Sequence, residues 1–91
     1  MAGLLVTYDL VGTDASSKNY KNLIAAIKDY PDWGRVQDSV WIISTSDSPK
    51  TVRDALKQHM HEDDRIFVAT FEGTAAWRNP RCKTETIKRI V

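Results

Sequence analysis

Residues 35–43, Arg-Val-Gln-Asp-Ser-Val-Trp-Ile-Ile, decide the fold because they predict a β-hairpin near the middle of the chain. Residues 35–37 and 40–43 have the β-branched and aromatic composition of strands, and Asp38-Ser39 between them suits a tight turn. A helical pattern lies on each side of this segment, with a further strand beyond each helix. The hairpin therefore joins two strand–helix–strand units.

The flanking elements follow from the spacing of apolar residues. Residues 4–10 have the composition of a buried strand, and residues 65–71 are apolar on both faces, which predicts a well-covered strand. Apolar residues recur at helical spacing over 18–30, where Pro31 ends the pattern, and again over 49–60. The predicted order is strand, helix, strand, strand, helix, strand.

This order predicts an α+β domain with the ferredoxin-like βαββαβ plan over residues 1–72. In that plan the four strands form one antiparallel sheet, the first and third strands are central, and both helices lie on one face. The other face has no helix to cover it, so we expect a homodimer that packs sheet against sheet. Residues 73–91 are predicted to be a C-terminal extension that packs on the domain or on a partner subunit.

Composition narrows the class of protein. The 91 residues carry 13 Lys and Arg against 12 Asp and Glu, and a net charge of +1 excludes a histone-like polycation. Cys82 is the single cysteine and cannot form an internal disulfide, which favours a reducing compartment. The apolar start of the chain is too short for a signal peptide or a membrane span, so we expect a cytoplasmic protein that does not bind membranes.

Asp9 is the main candidate for a catalytic group. Its carboxylate ends the first strand just before a polar loop, where an oxygen ligand can bind Mg²⁺. One carboxylate supplies few of the ligands that a metal site needs, but a two-fold dimer would bring a second Asp9 to a shared site. The alternative is structural, with Asp9 accepting hydrogen bonds from backbone N–H groups of the loop.

Two motifs, Thr-Tyr-Asp-Leu at 7–10 and Gly-Arg-Val-Gln-Asp-Ser-Val-Trp at 34–41, flank the first helix. In this order and spacing they resemble the CRISPR-associated protein 2 family, in which a strand ending in Tyr-Asp precedes a segment reading Arg-Val-Gln-x-Ser-Val-Phe. Trp41 stands where the family has phenylalanine. The resemblance covers about residues 3–72.

The resemblance implies a ferredoxin-like homodimer that handles RNA or DNA in antiviral defence. Members have been assigned metal-dependent endonuclease activity, and in adaptation complexes they also form a non-catalytic dimer beneath the integrase. Carried over, Asp9 from each subunit would bind Mg²⁺, which activates water and stabilises charge on the phosphate. The loop 10–17 lacks the family's Lys and Arg residues, and residues 73–91 do not match its usual tail, which argues against an integrase partner.

Four basic residues are candidates for contacting nucleic acid: Arg35 in the second motif, Lys18 after the first loop, and Arg78 and Arg81 near the C-terminus. The last two belong to the segment 78–89, which contains five basic residues and one acidic residue. This excess of positive charge suits contact with a phosphate backbone, and the alternative is a solvated tail. Trp77 beside this segment is a candidate for stacking on a base.

Three classes of function remain open at this point: a Mg²⁺-dependent nuclease, a non-catalytic nucleic-acid-binding or scaffold dimer, and a regulatory module that binds a ligand or a protein partner.

Overall fold

The computed structural model describes residues 2–91 and confirms the predicted order of elements, with one helix added at the end. The elements are β1 (Ala2–Asp9), α1 (Lys18–Lys28), β2 (Asp32–Gln37), β3 (Val40–Thr45), α2 (Pro49–Lys57), β4 (Arg65–Phe71) and α3 (Thr84–Ile90). The strands form one antiparallel sheet in the order β2-β3-β1-β4, so β1 and β3 are central, and the topology is ferredoxin-like. Among residues 2–91, no helix combines the length and the apolar composition that crossing a membrane requires.

The larger core lies between the sheet and the helices α1 and α2. Alternate residues of β1 face this core because side chains on a strand point to opposite sides in turn. Trp41 is fully buried beside them. Both helices begin as their sequences predict, since the Ser17 hydroxyl accepts from the N–H of Tyr20 at 3.1 Å and the Ser48 hydroxyl from that of Thr51 at 3.2 Å. The fully buried members of this core are Leu4, Val6, Leu23, Ile27, Trp41, Ile43, Val52 and Leu56.

A smaller core lies on the opposite face, where the C-terminal extension packs on its own sheet. Ile87 and Ile90 of α3 lie against Ile42 of β3, with Trp77 partly buried beside them. The expectation that this face has no helix over it is therefore wrong for the part next to β2 and β3. Within the predicted C-terminal extension, the structure makes Thr84–Ile90 helical.

Close backbone approach and ion pairs hold the extension in place. A Cβ on Gly34 would lie 2.9 Å from the side-chain methyl carbon of Thr86 in α3, and a Cβ on Gly3 would lie 2.9 Å from the Ile90 carbonyl oxygen. Both positions therefore need glycine for this packing. The Arg89 guanidinium forms an ion pair with Asp32 at the start of β2 through both of its oxygens. Burial of apolar surface and the ion pair thus both hold α3 against the sheet.

The part of this face around Phe67 remains uncovered, whereas Phe71 at the end of β4 packs against the smaller core. Phe67 of β4 is 62% exposed, its cross-strand neighbour is Thr7, and Val40 lies opposite Thr7 on the other side. We call Thr7, Val40 and Phe67 the open sheet patch. The prediction that residues 65–71 form a well-covered strand is wrong on this side at Phe67, because β4 is an edge strand and α3 lies over β2 and β3.

Candidate functional site

Asp9 lies exposed at the end of β1, where its carboxylate is paired with an arginine. Oδ2 of Asp9 accepts a hydrogen bond from Nη1 of Arg65 at 3.1 Å, across the β1–β4 ladder in which the two residues are register partners. Both side chains are mostly in solvent, so water screens this ion pair strongly. Among residues 2–91, the only hydrogen bond of the Asp9 side chain is the one to Arg65, and no backbone N–H of the loop donates to it.

Asp64 performs the capping role that the sequence left open for Asp9. Its Oδ1 accepts from the N–H groups of Val11 and Gly12 at 2.7 Å each and of Thr13 at 3.3 Å, and Oδ2 accepts from the Thr13 hydroxyl and the His61 N–H. Burial alone would raise the pKa of Asp64, but hydrogen bonds from Thr13, Gly12 and His61 outweigh it and lower that pKa. The loop after β1 is thus tied to the turn before β4, and the Asp9 carboxylate is left facing solvent.

A polar pocket of about 470 Å³ lies at the Asp9 end of the sheet. It brings together Asp9, Arg35 and Arg81, which the sequence nominated from three separate parts of the chain. Of the other nominated residues, Lys18 and Arg78 lie outside its lining and are exposed. The lining residues are Tyr8, Asp9, Leu10, Tyr20, Arg35, Asp38, Ser39 and Arg81.

Arg35 is held rigidly in this polar pocket. Its guanidinium stacks on the Trp41 ring, 4.9 Å from the centroid, and its Nη2 donates to the Tyr20 hydroxyl at 3.1 Å. Trp41 is itself fixed, because its Nε1 donates to the buried Tyr8 hydroxyl at 3.0 Å. Burial raises the pKa of Tyr8 above the already high ordinary value of a tyrosine, so its hydroxyl is protonated at neutral pH. The guanidinium is therefore oriented before any ligand arrives, and this lowers the entropic cost of binding.

Arg81 reaches the same polar pocket from the C-terminal extension. Its backbone N–H donates to the Val36 carbonyl at 3.0 Å, and its guanidinium forms an ion pair with the Asp38 carboxylate. The carbonyl oxygen of Asp38 also accepts from Nε and Nη2 of Arg35, at 3.0 and 2.7 Å. Asp38 thus engages both guanidiniums, one through its backbone and one through its side chain. The acceptor of the Arg81 guanidinium carries negative charge, whereas the acceptor of the Arg35 guanidinium is a neutral peptide carbonyl.

The polar pocket of one chain does not provide a complete set of metal ligands. Among residues 2–91, no three His, Cys, Asp or Glu side chains form a group that could hold a metal ion. Asp9 and Asp38 are the carboxylates in the lining, and each is paired with an arginine. A Mg²⁺ ion at Asp9 would need further oxygen ligands from water, from a nucleic acid or from a second chain.

The aromatic residues differ from the sequence prediction. Trp77 is partly buried against α3, and its Nε1 donates to the Thr84 hydroxyl at 3.4 Å, so its ring is less open to a base than predicted. Phe67, which the sequence reading treated as part of a covered strand, exposes its ring instead. The alternation of β4 alone could not reveal this, because exposure depends on how far α3 extends across the sheet.

No protein-family model matches the chain, and no curated protein sequence matches it. The likeness that the structure bears out is that of the fold, a small α+β domain with a four-stranded antiparallel sheet.

Proposed function

We propose that this protein binds nucleic acid and that the polar pocket contacts the phosphate backbone. The observation that carries the proposal is that two guanidiniums line one pocket, with Arg81 already paired to a carboxylate of Asp38 and Arg35 bonded to the backbone carbonyl of the same residue. A phosphate offers the same negative charge and the same oxygen acceptors as a carboxylate, and guanidinium groups bind both in a forked arrangement. The motif likeness at 7–10 and 34–41 to the CRISPR-associated protein 2 family favours RNA or DNA as the source of that phosphate.

The distribution of charge agrees with a local contact rather than with a broad basic surface. The whole chain has a net charge of +1, but Arg81 belongs to the segment 78–89, where five basic residues face one acidic residue. Non-specific affinity scales with the number of phosphates neutralised, so we expect weak binding that is sensitive to salt.

Fluorescence anisotropy with labelled RNA and DNA, single- and double-stranded, tests this proposal. We expect affinity to fall as salt rises from about 50 to 200 mM, and Arg81→Gln to weaken binding and to reduce the salt slope by about one. Arg53→Gln is the matched control, because Arg53 lies on α2 outside the polar pocket. Binding that ignores salt, or an equal loss in both variants, would contradict a phosphate contact at this site and favour a module for a neutral ligand or a protein partner.

A second candidate is Mg²⁺-dependent phosphodiester hydrolysis, favoured by the exposed Asp9 carboxylate in the same polar pocket as two arginines. Asp9 would be a ligand of the metal, and Arg35 and Arg81 would hold the phosphate against it. Bound Mg²⁺ supplies an activated water and neutralises charge on the phosphate. Since one chain lacks the remaining ligands, water and phosphate oxygens would supply some of them, and the predicted homodimer would add a second Asp9.

Cleavage assays with wild type and Asp9→Asn, with Mg²⁺ and with chelator, test the second candidate. Metal-dependent cleavage that is lost in Asp9→Asn and kept in Asp29→Asn, a control at the end of α1, would support the nuclease. Cleavage that survives in Asp9→Asn would contradict it. Binding without any cleavage would favour a non-catalytic scaffold, and sedimentation of the same samples would report whether the chain is a dimer.

A further inference from the structure

Phe67 exposes its ring at the β4 edge of the open sheet patch. It is 62% exposed, and its neighbours across the ladders are the short side chain of Thr7 and then Val40. The other exposed large apolar side chains of residues 2–91 are Val11 in a loop and Trp33, which packs on Trp41 from the other face. Phe67 is therefore the aromatic ring that this face of the sheet offers to solvent.

Charged groups border the Phe67 ring on one side. Arg65 lies two residues earlier on β4, so its side chain is on the same face as Phe67. Both residues line a shallow depression of about 180 Å³ together with Asp9, which also lines the polar pocket. The exposed ring, the Arg65 guanidinium and the polar pocket thus form one continuous surface, in which an apolar platform adjoins groups that bind phosphate.

This surface is complementary to a nucleotide whose base is unpaired. A nucleotide has one planar aromatic base and one phosphate, which match the ring and the neighbouring guanidiniums. In a duplex the faces of the bases are covered by their neighbours, whereas bases in a single strand can stack on aromatic side chains. We propose that the open sheet patch binds single-stranded RNA or DNA, with one base stacked on Phe67 and adjacent phosphates on Arg65 and the polar pocket.

The proposal rests on the proposed function and adds the strandedness of the ligand. A second copy of this chain is the competing occupant of the open sheet patch. Two features argue against it: the extension already covers the β2 and β3 side of this face, and the mostly exposed Arg65 and Asp9 border the area that is left. Charged residues are depleted at the centre of protein interfaces, so this ion pair disfavours an apolar dimer contact there.

The test measures binding of one sequence as a single strand and as a duplex, by wild type, Phe67→Ala, Phe67→Tyr and Val11→Ala. We expect Phe67→Ala to bind the single strand about tenfold more weakly, in the range found for the loss of one stacked base, with duplex binding unchanged. Phe67→Tyr keeps a planar ring and should retain the affinity. Val11→Ala, which truncates a side chain that is 59% exposed in the β1–α1 loop, is the matched control and should bind as wild type does.

A strand that carries 2-aminopurine gives a separate readout, because stacking on Phe67 should quench its fluorescence and Phe67→Ala should abolish the quenching. Unchanged single-strand binding by Phe67→Ala, beside wild type that binds in a salt-dependent manner, would overturn this proposal alone. Absence of binding by wild type would overturn the proposed function as well. A dimer that Phe67→Ala converts to a monomer in sedimentation would assign the open sheet patch to a second copy instead. Thermal melting checks that each variant folds. We expect Phe67→Ala to fold, since the ring that it removes is largely exposed.

Discussion

Replacing Asp38 by Asn should strengthen nucleic-acid binding. The substitution removes the carboxylate charge, keeps a side chain of nearly the same shape, and leaves the backbone carbonyl that binds Arg35 in place. Asp38 and Arg81 are 89% and 52% exposed, so their ion pair belongs to the class worth about 0.2–1 kcal/mol. That carboxylate competes with a phosphate for the Arg81 guanidinium. Its removal should therefore tighten binding by about 1.4- to fivefold, with a salt slope at least as steep as that of wild type.

A double-mutant cycle with Arg81→Gln locates this effect. In the variant that combines Asp38→Asn with Arg81→Gln, the gain should vanish because no guanidinium remains to be released. Glu62→Gln makes the same change in net charge from the turn before β4, outside the polar pocket, and measures the long-range contribution of charge. Affinities come from fluorescence anisotropy at several salt concentrations. Unchanged or weaker binding by Asp38→Asn, or an equal gain in Glu62→Gln, would refute a phosphate contact by Arg81.

Two further predictions concern stability. Tyr8→Phe removes the acceptor of the buried Trp41 Nε1–H, so we expect the free energy of unfolding in urea to fall by about 1–3 kcal/mol; a loss no larger than that in Tyr20→Phe would contradict this. Asp64→Asn weakens the hydrogen bonds to the β1–α1 loop and should cost about 1–2 kcal/mol at neutral pH, since Asp64 is only partly buried. Because the folded-state pKa of Asp64 is lowered, its stabilisation is complete above the unfolded pKa of about 4 and is lost as pH falls below it. The urea midpoints of wild type and Asp64→Asn should thus move closer together in acid than at neutral pH. An equal gap in acid and at neutral pH would contradict the role of the Asp64 carboxylate.

The hairpin and the four strands could be predicted because their signals are local. The turn at Asp38-Ser39 follows β2 and precedes β3 as expected, and β4 has the predicted bounds of Arg65 and Phe71. Side-chain alternation and turn composition act within a few residues, so a sequence displays them directly. The depth to which β4 is covered is a property of the whole sheet, and there the prediction was wrong.

The α3 helix was harder to predict because little of its stability is local. It has seven residues, and its N-cap Lys83 makes no side-chain capping bond. Helices this short are marginal on their own and depend on tertiary packing. That packing involves Ile42 and the ion pair between Arg89 and Asp32, which are 57 residues apart. Gly34 was a usable signal, since glycine within a strand often marks a close approach, and here the Thr86 side chain of α3 fills the space of a Cβ.

The candidate site shows the same division between local and distant contacts. The sequence places Asp9 at the end of β1, but its partner Arg65 is 56 residues away and depends on the β1–β4 register. Nothing local distinguishes Asp64 from Asp63, because the capping role of Asp64 depends on where the β1–α1 loop lies in space. Residue types in the sequence could therefore indicate candidate members of the site. Which of them are in contact depends on the pairing of strands, which the sequence does not show.

The C-terminal extension links the fold to the candidate site, because its docking affects both the apolar sheet face and the polar pocket. When α3 packs on Ile42, it covers the β2 and β3 side of the sheet, and Arg81 in the same segment bonds to the Val36 carbonyl and enters the polar pocket. An undocked extension would expose that apolar face and remove one of the two guanidiniums that engage Asp38. Docking of the extension therefore favours the proposed phosphate contact over sheet-against-sheet pairing, since the apolar surface open to a second copy is smallest when Arg81 lies in the polar pocket.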